Sequence, residues 1–187
     1  MIVTTAQIPN IKLIDPVVFD DSRGYFFEAY NAQAFTEKLA VAPQFFQDNE
    51  SLSKRGTICG LHLQLPPFAQ TKLVRVITGE ILDIALDCRP NFPSFGQNIC
   101  GRISADSKRQ LPIPTGFVHG FQVLSSHCIL NYKVTAPYHK QSEMTVNCLD
   151  PKLAIAWRDD LDVTISDKDH SAPSLADFPA DFWDGIE

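Results

Sequence analysis

Lys72 to Cys88 reads KLVRVITGEILDIALDC, and this stretch decides the fold class. Two runs rich in β-branched and large apolar residues flank Thr78-Gly79-Glu80. Alternation with a period of two puts Lys72, Val74 and Val76 on one face of the first run. In the second it groups Ile81, Asp83 and Ala85, so Asp83 is an acid inside an apolar row. Gly79 suits a tight hairpin turn between the two runs, because glycine enters the left-handed backbone region without a Cβ clash.

Working outward, further strands are predicted over Ile11 to Phe19, Gly24 to Tyr30, Ile58 to Gln64, Gln110 to Ile113, Phe117 to Leu124 and Cys128 to Thr135. Ala32 to Leu39 is the best helical segment, and the tail after Asp150 has room for short helices. The 13 prolines and 9 glycines are spread along the chain rather than gathered into a linker, and no internal repeat is visible. At 187 residues the chain suits one sizeable core and is short for two unrelated domains. The pattern as a whole points to an all-β, predominantly antiparallel barrel or sandwich.

Composition narrows the function. Hydrophobic residues make up 44% and charged residues 20%, a globular balance, and no stretch has the apolar length of a membrane span. The start, MIVTTAQIPNIKLIDP, lacks the basic and apolar regions of a secretory signal, so a cytoplasmic location is expected. With 16 Lys plus Arg against 22 Asp plus Glu the net charge is -6, which disfavours nucleic acid and anionic membrane as partners but leaves room for a locally basic pocket. The five cysteines form no CxxC pair and read as mostly buried thiols of a reducing compartment.

Several residues invite a chemical reading beside a plain one. Strand alternation sets Gly60, His62 and Gln64 on one face and Cys59, Leu61 and Leu63 on the other, so His62 is either a ligand-facing imidazole next to open space or a hydrogen-bonded structural histidine. His119 lies in IPTGFVHGF, where prolines and glycines set a turn and permit close backbone approach. Tyr132 shares a face with Cys128, Leu130 and Val134, which suits either a shielded proton donor or an ordinary buried tyrosine. Lys72, opening an apolar strand, either meets an oxyanion or snorkels to solvent. Arg23 and Glu28 bracket Tyr25-Phe26-Phe27, and Gln47-Asp48-Asn49 offers amides to a planar polar ligand. Ser166-Asp167-Lys168-Asp169 has the look of a solvated turn. There is no phosphate-binding or dinucleotide-binding glycine loop, no HExxH and no GxSxG, and the histidines form no compact metal-ligand cluster.

Taken in order, DSRGYFFE (21–28), FQDN (46–49), GLHLQLPP (60–67), KLVRV (72–76) and IPTGFVHGF (113–121) resemble the dTDP-4-dehydrorhamnose 3,5-epimerase family from about Thr5 to Pro173. The resemblance implies an antiparallel double-stranded β-helix, the cupin jelly roll, with short peripheral helices, forming a single domain over residues 1–187. It also implies a homodimer to which N-terminal strands contribute, working without metal or organic cofactor on a dTDP-4-keto-6-deoxy sugar. By the same resemblance His62 is the general base held by Asp169, Tyr132 the general acid, and Lys72 the group that meets the enolate oxygen. Asp83 and His119 match a second carboxylate–imidazole pair, and Tyr138 a tyrosine shaping the sugar pocket. Arg23, Glu28, Gln47, Asn49, Glu143 and Lys168 match substrate contacts, some made across the dimer. Two positions depart from the family pattern: Cys59 stands where an arginine usually helps bind the diphosphate, and Leu63 where a tyrosine is common. Single-site epimerases, ketoisomerases, noncatalytic sugar- or nucleotide-binding cupins and metal-dependent oxygenases of the same fold are the competing readings.

Overall fold

The computed structural model describes residues 1–39, 43–179 and 182. Fourteen strands and two α-helices follow one another in these residues. The order is β1 (Ile2–Thr5), β2 (Lys12–Asp15), β3 (Phe19–Asp21), β4 (Gly24–Phe26), α1 (Ala32–Leu39), β5 (Gln47–Lys54), β6 (Thr57–Gln64), β7 (Lys72–Thr78) and β8 (Glu80–Asp87). After these come β9 (Asn98–Ser104), β10 (Gln110–Ile113), β11 (Phe117–Val123), β12 (His127–Val134), β13 (Glu143–Thr145), β14 (Thr164–Ile165) and α2 (Asp167–His170). Short 3-10 turns at Lys140–Ser142, Pro151–Leu153 and Leu175–Asp177 join these elements among the described residues.

Two sheets face each other. One runs β1-β2-β10-β7-β12-β5, the other β13-β6-β11-β8-β9, and β3 pairs with β4 alone as a separate ribbon. The ladders are antiparallel except for β14, which lies parallel to the start of β6. Between the sheets, Val74, Val76, Leu111 and Leu130 from the first pack against Ile81, Ile103, Phe117 and Phe121 from the second. This is the jelly roll expected from the sequence, with both inner faces apolar.

The second sheet is covered on its outer face too, where Leu61, Leu63, Ile84, Leu86 and Val118 meet Met144, Val146 and Leu153. Burial on both faces is why β8 and β11 read as near-continuous apolar runs rather than as alternation. Leu73 and Ile14, on the outside of the first sheet, pack beneath Phe35 of α1.

The hairpin expected at Gly79 is not formed. β7 pairs with β10 and β12, whereas β8 pairs with β9 and β11, so Gly79 carries the chain across from one sheet to the other. Its φ of +86° and the 2.2 Å that would separate an added Cβ from the His127 carbonyl oxygen both require glycine at this corner. The predicted strand over Ile11 to Phe19 is split, with β2 ending before Pro16 and β3 starting at Phe19, and the one beginning at Gly24 stops at Phe26. Proline supplies no N–H to a ladder, which accounts for the first break.

Candidate functional site

A bulge in β6 shapes the site. His119 faces His62 and Phe121 faces Cys59, so two steps along β11 span three along β6. The extra residue breaks simple alternation: Cys59 lies on the inner side with His62, while Leu61 and Leu63 pack in the outer cluster. The expectation that Cys59 turns away from His62 is therefore corrected. The crossing is tight. A Cβ on Gly60 would lie 2.7 Å from the Cα of Gly120, and one on Gly120 2.7 Å from the Cys59 carbonyl oxygen, so two facing glycines let the strands touch.

His62 and Tyr132 line one cavity of about 140 Å³ together with Lys72, His119, Cys59 and Ser51. His62, His119 and Cys59 come from β6 and β11, and Tyr132, Lys72 and Ser51 from β12, β7 and β5, so the two sheets supply opposite walls. Larger clefts lie beside α1 and under the β3–β4 ribbon, at about 590 and 450 Å³, but no histidine lines either of them.

The imidazole of His62 is held by Asp169, whose Oδ1 lies 2.6 Å from Nε2. Asp169 is not in a solvated turn but is 3% exposed, in the first turn of α2. Its backbone N–H donates to Ser166 Oγ at 3.1 Å, and its Oδ2 accepts from the Gly60 N–H at 3.2 Å. Burial works to raise this carboxyl, but the His62 contact, the Gly60 amide and Ser166 together hold it below the usual carboxylate range. The parallel pairing of Thr164 and Ile165 with Thr57 and Ile58 brings α2 to this point. Gly56 permits it, since a Cβ there would sit 2.0 Å from the Asp162 carbonyl oxygen.

Lys72 is 9% exposed and donates to the His62 carbonyl oxygen at 3.2 Å. Burial pulls its ammonium down to about 8, and no snorkelling to solvent occurs. Burial likewise pushes up the Tyr132 phenol and the Cys59 thiol, keeping both protonated near neutral pH. His119 and Asp83 form a second, buried pair at 3.0 Å.

At the rim, Tyr138 donates its hydroxyl to Glu143 at 3.0 Å and Lys168 pairs with the same oxygen at 2.6 Å. Burial works to raise Glu143, but these two contacts hold its carboxyl low. Gln47 donates to Asn49 Oδ1 at 2.6 Å, and its own oxygen accepts from the Tyr138 N–H at 3.4 Å. Arg23 and Glu28 do not join this group. Arg23 is exposed and paired with Asp21 at 2.6 Å, and Glu28 accepts from Asn31 at 3.1 Å. Ser51 was not anticipated. Its signal is the polar row Gln47, Asn49, Ser51, Ser53, whose side chains are less exposed than those between them.

A family model described as dTDP-4-dehydrorhamnose 3,5-epimerase matches residues 5–177. The chain belongs to that family. The dTDP-4-dehydrorhamnose 3,5-epimerase of Salmonella typhimurium is 43% identical over 175 residues, covering 94% of this chain and 96% of the relative. Its counterpart from Pseudomonas aeruginosa is 44% identical, covering 93% and 96%. The crystal structure of dTDP-6-deoxy-D-glucose-3,5-epimerase from Legionella pneumophila, in complex with dTDP-4-keto-L-rhamnose, superposes with a TM-score of 0.91 at 41% identity and covers 96% and 95% of the two chains. The neutral thiol of Cys59, one of the positions at which the sequence departs from the expected pattern, opens into this cavity.

Proposed function

We propose that the chain epimerises dTDP-4-dehydro-6-deoxy-α-D-glucose at C3 and C5, giving dTDP-4-dehydro-β-L-rhamnose. The observation that carries this reading is the placement of His62 and Tyr132 on opposite sheets around one cavity. A sugar ring seated between them meets a base on one face and an acid on the other.

The C4 ketone acidifies the protons on C3 and C5, because the carbanion left behind spreads its charge onto oxygen. His62 removes the proton, oriented by Asp169 at 2.6 Å, which also stabilises the imidazolium that forms. Lys72, protonated below about 8, meets the growing charge on the enolate oxygen. Tyr132 then donates its phenolic proton to the carbon from the far face, inverting the centre. The His119–Asp83 pair adds a second polar anchor on the base side. Each step uses groups of this chain, and none calls for a redox cofactor.

The rim group of Tyr138, Glu143 and Lys168, with Gln47 and Asn49 beside it, suits the hydroxyl and phosphate-bearing parts of the substrate. Arg23 and Glu28 act on the substrate of a second copy, and the chain works as a homodimer of single cupin domains joined through N-terminal strands. Support comes from the β3–β4 ribbon, which pairs with neither sheet and leaves Phe19 and Phe26 62% and 66% exposed. A cytoplasmic site of action fits the acidic composition, and no described helix is long and apolar enough to cross a membrane.

Incubation with the 4-keto-6-deoxy sugar nucleotide in heavy water tests the reading. Deuterium is expected at both C3 and C5, with inversion at both. Exchange at one carbon identifies a single-site epimerase, and binding without exchange a noncatalytic cupin.

A further inference from the structure

Gln64 ends β6 two residues beyond His62, and the residue is 5% exposed. Its Nε2 donates to the Phe68 carbonyl at 2.8 Å and to the Pro137 carbonyl at 3.1 Å. Its Oε1 accepts from the His139 N–H at 2.6 Å. Two of these partners, Pro137 and His139, are the immediate neighbours of Tyr138 in the chain. The same two loops are tied a second time by the Phe68 ring, which stacks on the His139 imidazole at 4.0 Å and 12°. A third tie runs from the Leu65 N–H to the Ser142 carbonyl at 2.8 Å.

We infer that Gln64 is a positioning residue for substrate recognition: its amide clamps the backbone on both sides of Tyr138 and so sets that ring against Glu143 at the mouth of the catalytic pocket. The inference rests on the proposed reaction, in which Tyr138 touches the sugar. The chemistry of position 64 is demanding. Two carbonyls need donors and one N–H needs an acceptor, and a glutamine amide supplies all three from a single side chain. A carboxylate of the same length presents oxygen to two carbonyl oxygens, and a thioether leaves all three groups without a partner. Gln64 also shares a strand with His62 and faces Glu143 across the ladder, so the clamp refers the mouth of the pocket to the base beneath it.

The test uses Gln64→Glu and Gln64→Met, each alone and combined with Tyr138→Ala. The readouts are kcat and KM for the 4-keto sugar nucleotide, and calorimetric affinity for dTDP-glucose, which lacks the activating ketone. Each single variant is expected to raise KM and the dTDP-glucose Kd at least tenfold while kcat stays within threefold. In the Tyr138→Ala background the same changes are expected to add less than threefold, because the side chain being placed is gone. Effects that multiply, a KM that does not move, or loss of folding in both variants assign Gln64 to stability alone and overturn the inference. A wild-type protein that binds dTDP-glucose but exchanges no carbon-bound proton overturns the reaction instead, and the dTDP-glucose affinities still decide the role of Gln64.

Discussion

His62 and Asp169 are 107 residues apart in sequence and 2.6 Å apart in space. The carboxylate reaches the imidazole because β14 runs beside β6 and a Ser166 cap starts α2 at that point. Asp169 is therefore a fixed partner of the His62 imidazole rather than a surface acid. Its other oxygen is committed to the Gly60 N–H, which ties the imidazole to the bulge that turns Cys59 inward.

Removal of the base and weakening of its support are expected to differ in degree. His62→Ala should lower kcat by about 10³-fold or more, within the span known for general bases. Asp169→Asn keeps the shape but loses the charge that stabilises the imidazolium, and a loss of about 10²-fold is expected. Melting temperatures of both variants should stay within a few degrees of the parent. An Asp169→Asn enzyme with full kcat would remove Asp169 from the mechanism.

Tyr132→Phe separates proton removal from inversion. His62 remains able to take a proton and return one to the same face, so deuterium from heavy water should still enter the substrate. Inversion, which needs a donor on the far face, should fall by about 10²-fold or more. Loss of exchange and inversion in equal measure would show that Tyr132 acts before the enolate forms.

Much of the fold was legible because apolar residues recorded which faces are buried. β10 and α1 coincide with the predicted segments, and β12 is displaced by one residue. β5 left no such record. It is an edge strand whose inner side faces the polar cleft and whose outer side faces solvent, so QDNESLSK has almost nothing apolar to alternate. Gly79 illustrates a different limit: a positive-φ glycine between two apolar runs serves a hairpin and a crossing between sheets equally well. Pairing partners distant in sequence settle which of the two forms. Around the site, the inward faces of Lys72, Asp83 and Tyr132 followed from period-two alternation, whereas the inward face of Cys59 depends on a bulge formed against β11. The burial of Asp169 depends on packing across more than a hundred residues and has no local signature.

Lys72 offers a test of function held at the expense of stability. Burial lowers its ammonium from 10.5 to about 8, so between those values the unfolded chain holds a proton that the folded one has released. The folded state therefore gains stability as pH rises from about 8 toward 10.5, and bears the full cost of the buried charge below that window. The span corresponds to roughly 3 kcal/mol. Lys72→Met should raise stability at pH 7 by about 1–3 kcal/mol in denaturant unfolding, less whatever the bond to the His62 carbonyl contributes. It should also reduce kcat by at least about 10²-fold. In the parent enzyme activity should decline as pH passes about 8, because the enolate then meets a neutral amine. A Lys72→Met variant of unchanged activity would leave the enolate without its proposed partner.

Cys59 tests how the pocket handles phosphate. Its thiol is neutral near pH 7, as an ordinary thiol is, and burial pushes its titration further up; it faces the cavity beside Lys72. Cys59→Arg adds a five-donor guanidinium able to grip two phosphate oxygens. Affinity for dTDP is expected to rise at least fivefold, and the gain should shrink as salt is added. Unchanged affinity across a salt series would place the diphosphate away from position 59.

The N-terminal ribbon makes the last and most architectural expectation. Arg23 has its side chain 88% exposed, on strands that pair only with each other, while the pocket it is assigned to lies within the barrel. If the ribbon serves a second copy, then Arg23→Ala with Glu28→Ala disables the partner's pocket and leaves the barrel of its own chain intact. Mixed with His62→Ala chains after reversible dissociation, these chains should form heterodimers holding one complete pocket, built from the parent His62 of one chain and the parent ribbon of the other. Random pairing makes half of the dimers mixed, each with one of two pockets intact, so activity should return to about a quarter of the parent value. No recovery from the mixture, with dimers present by sedimentation, would mean that Arg23 and Glu28 act within their own chain. In that case the ribbon must fold back over the barrel once substrate binds.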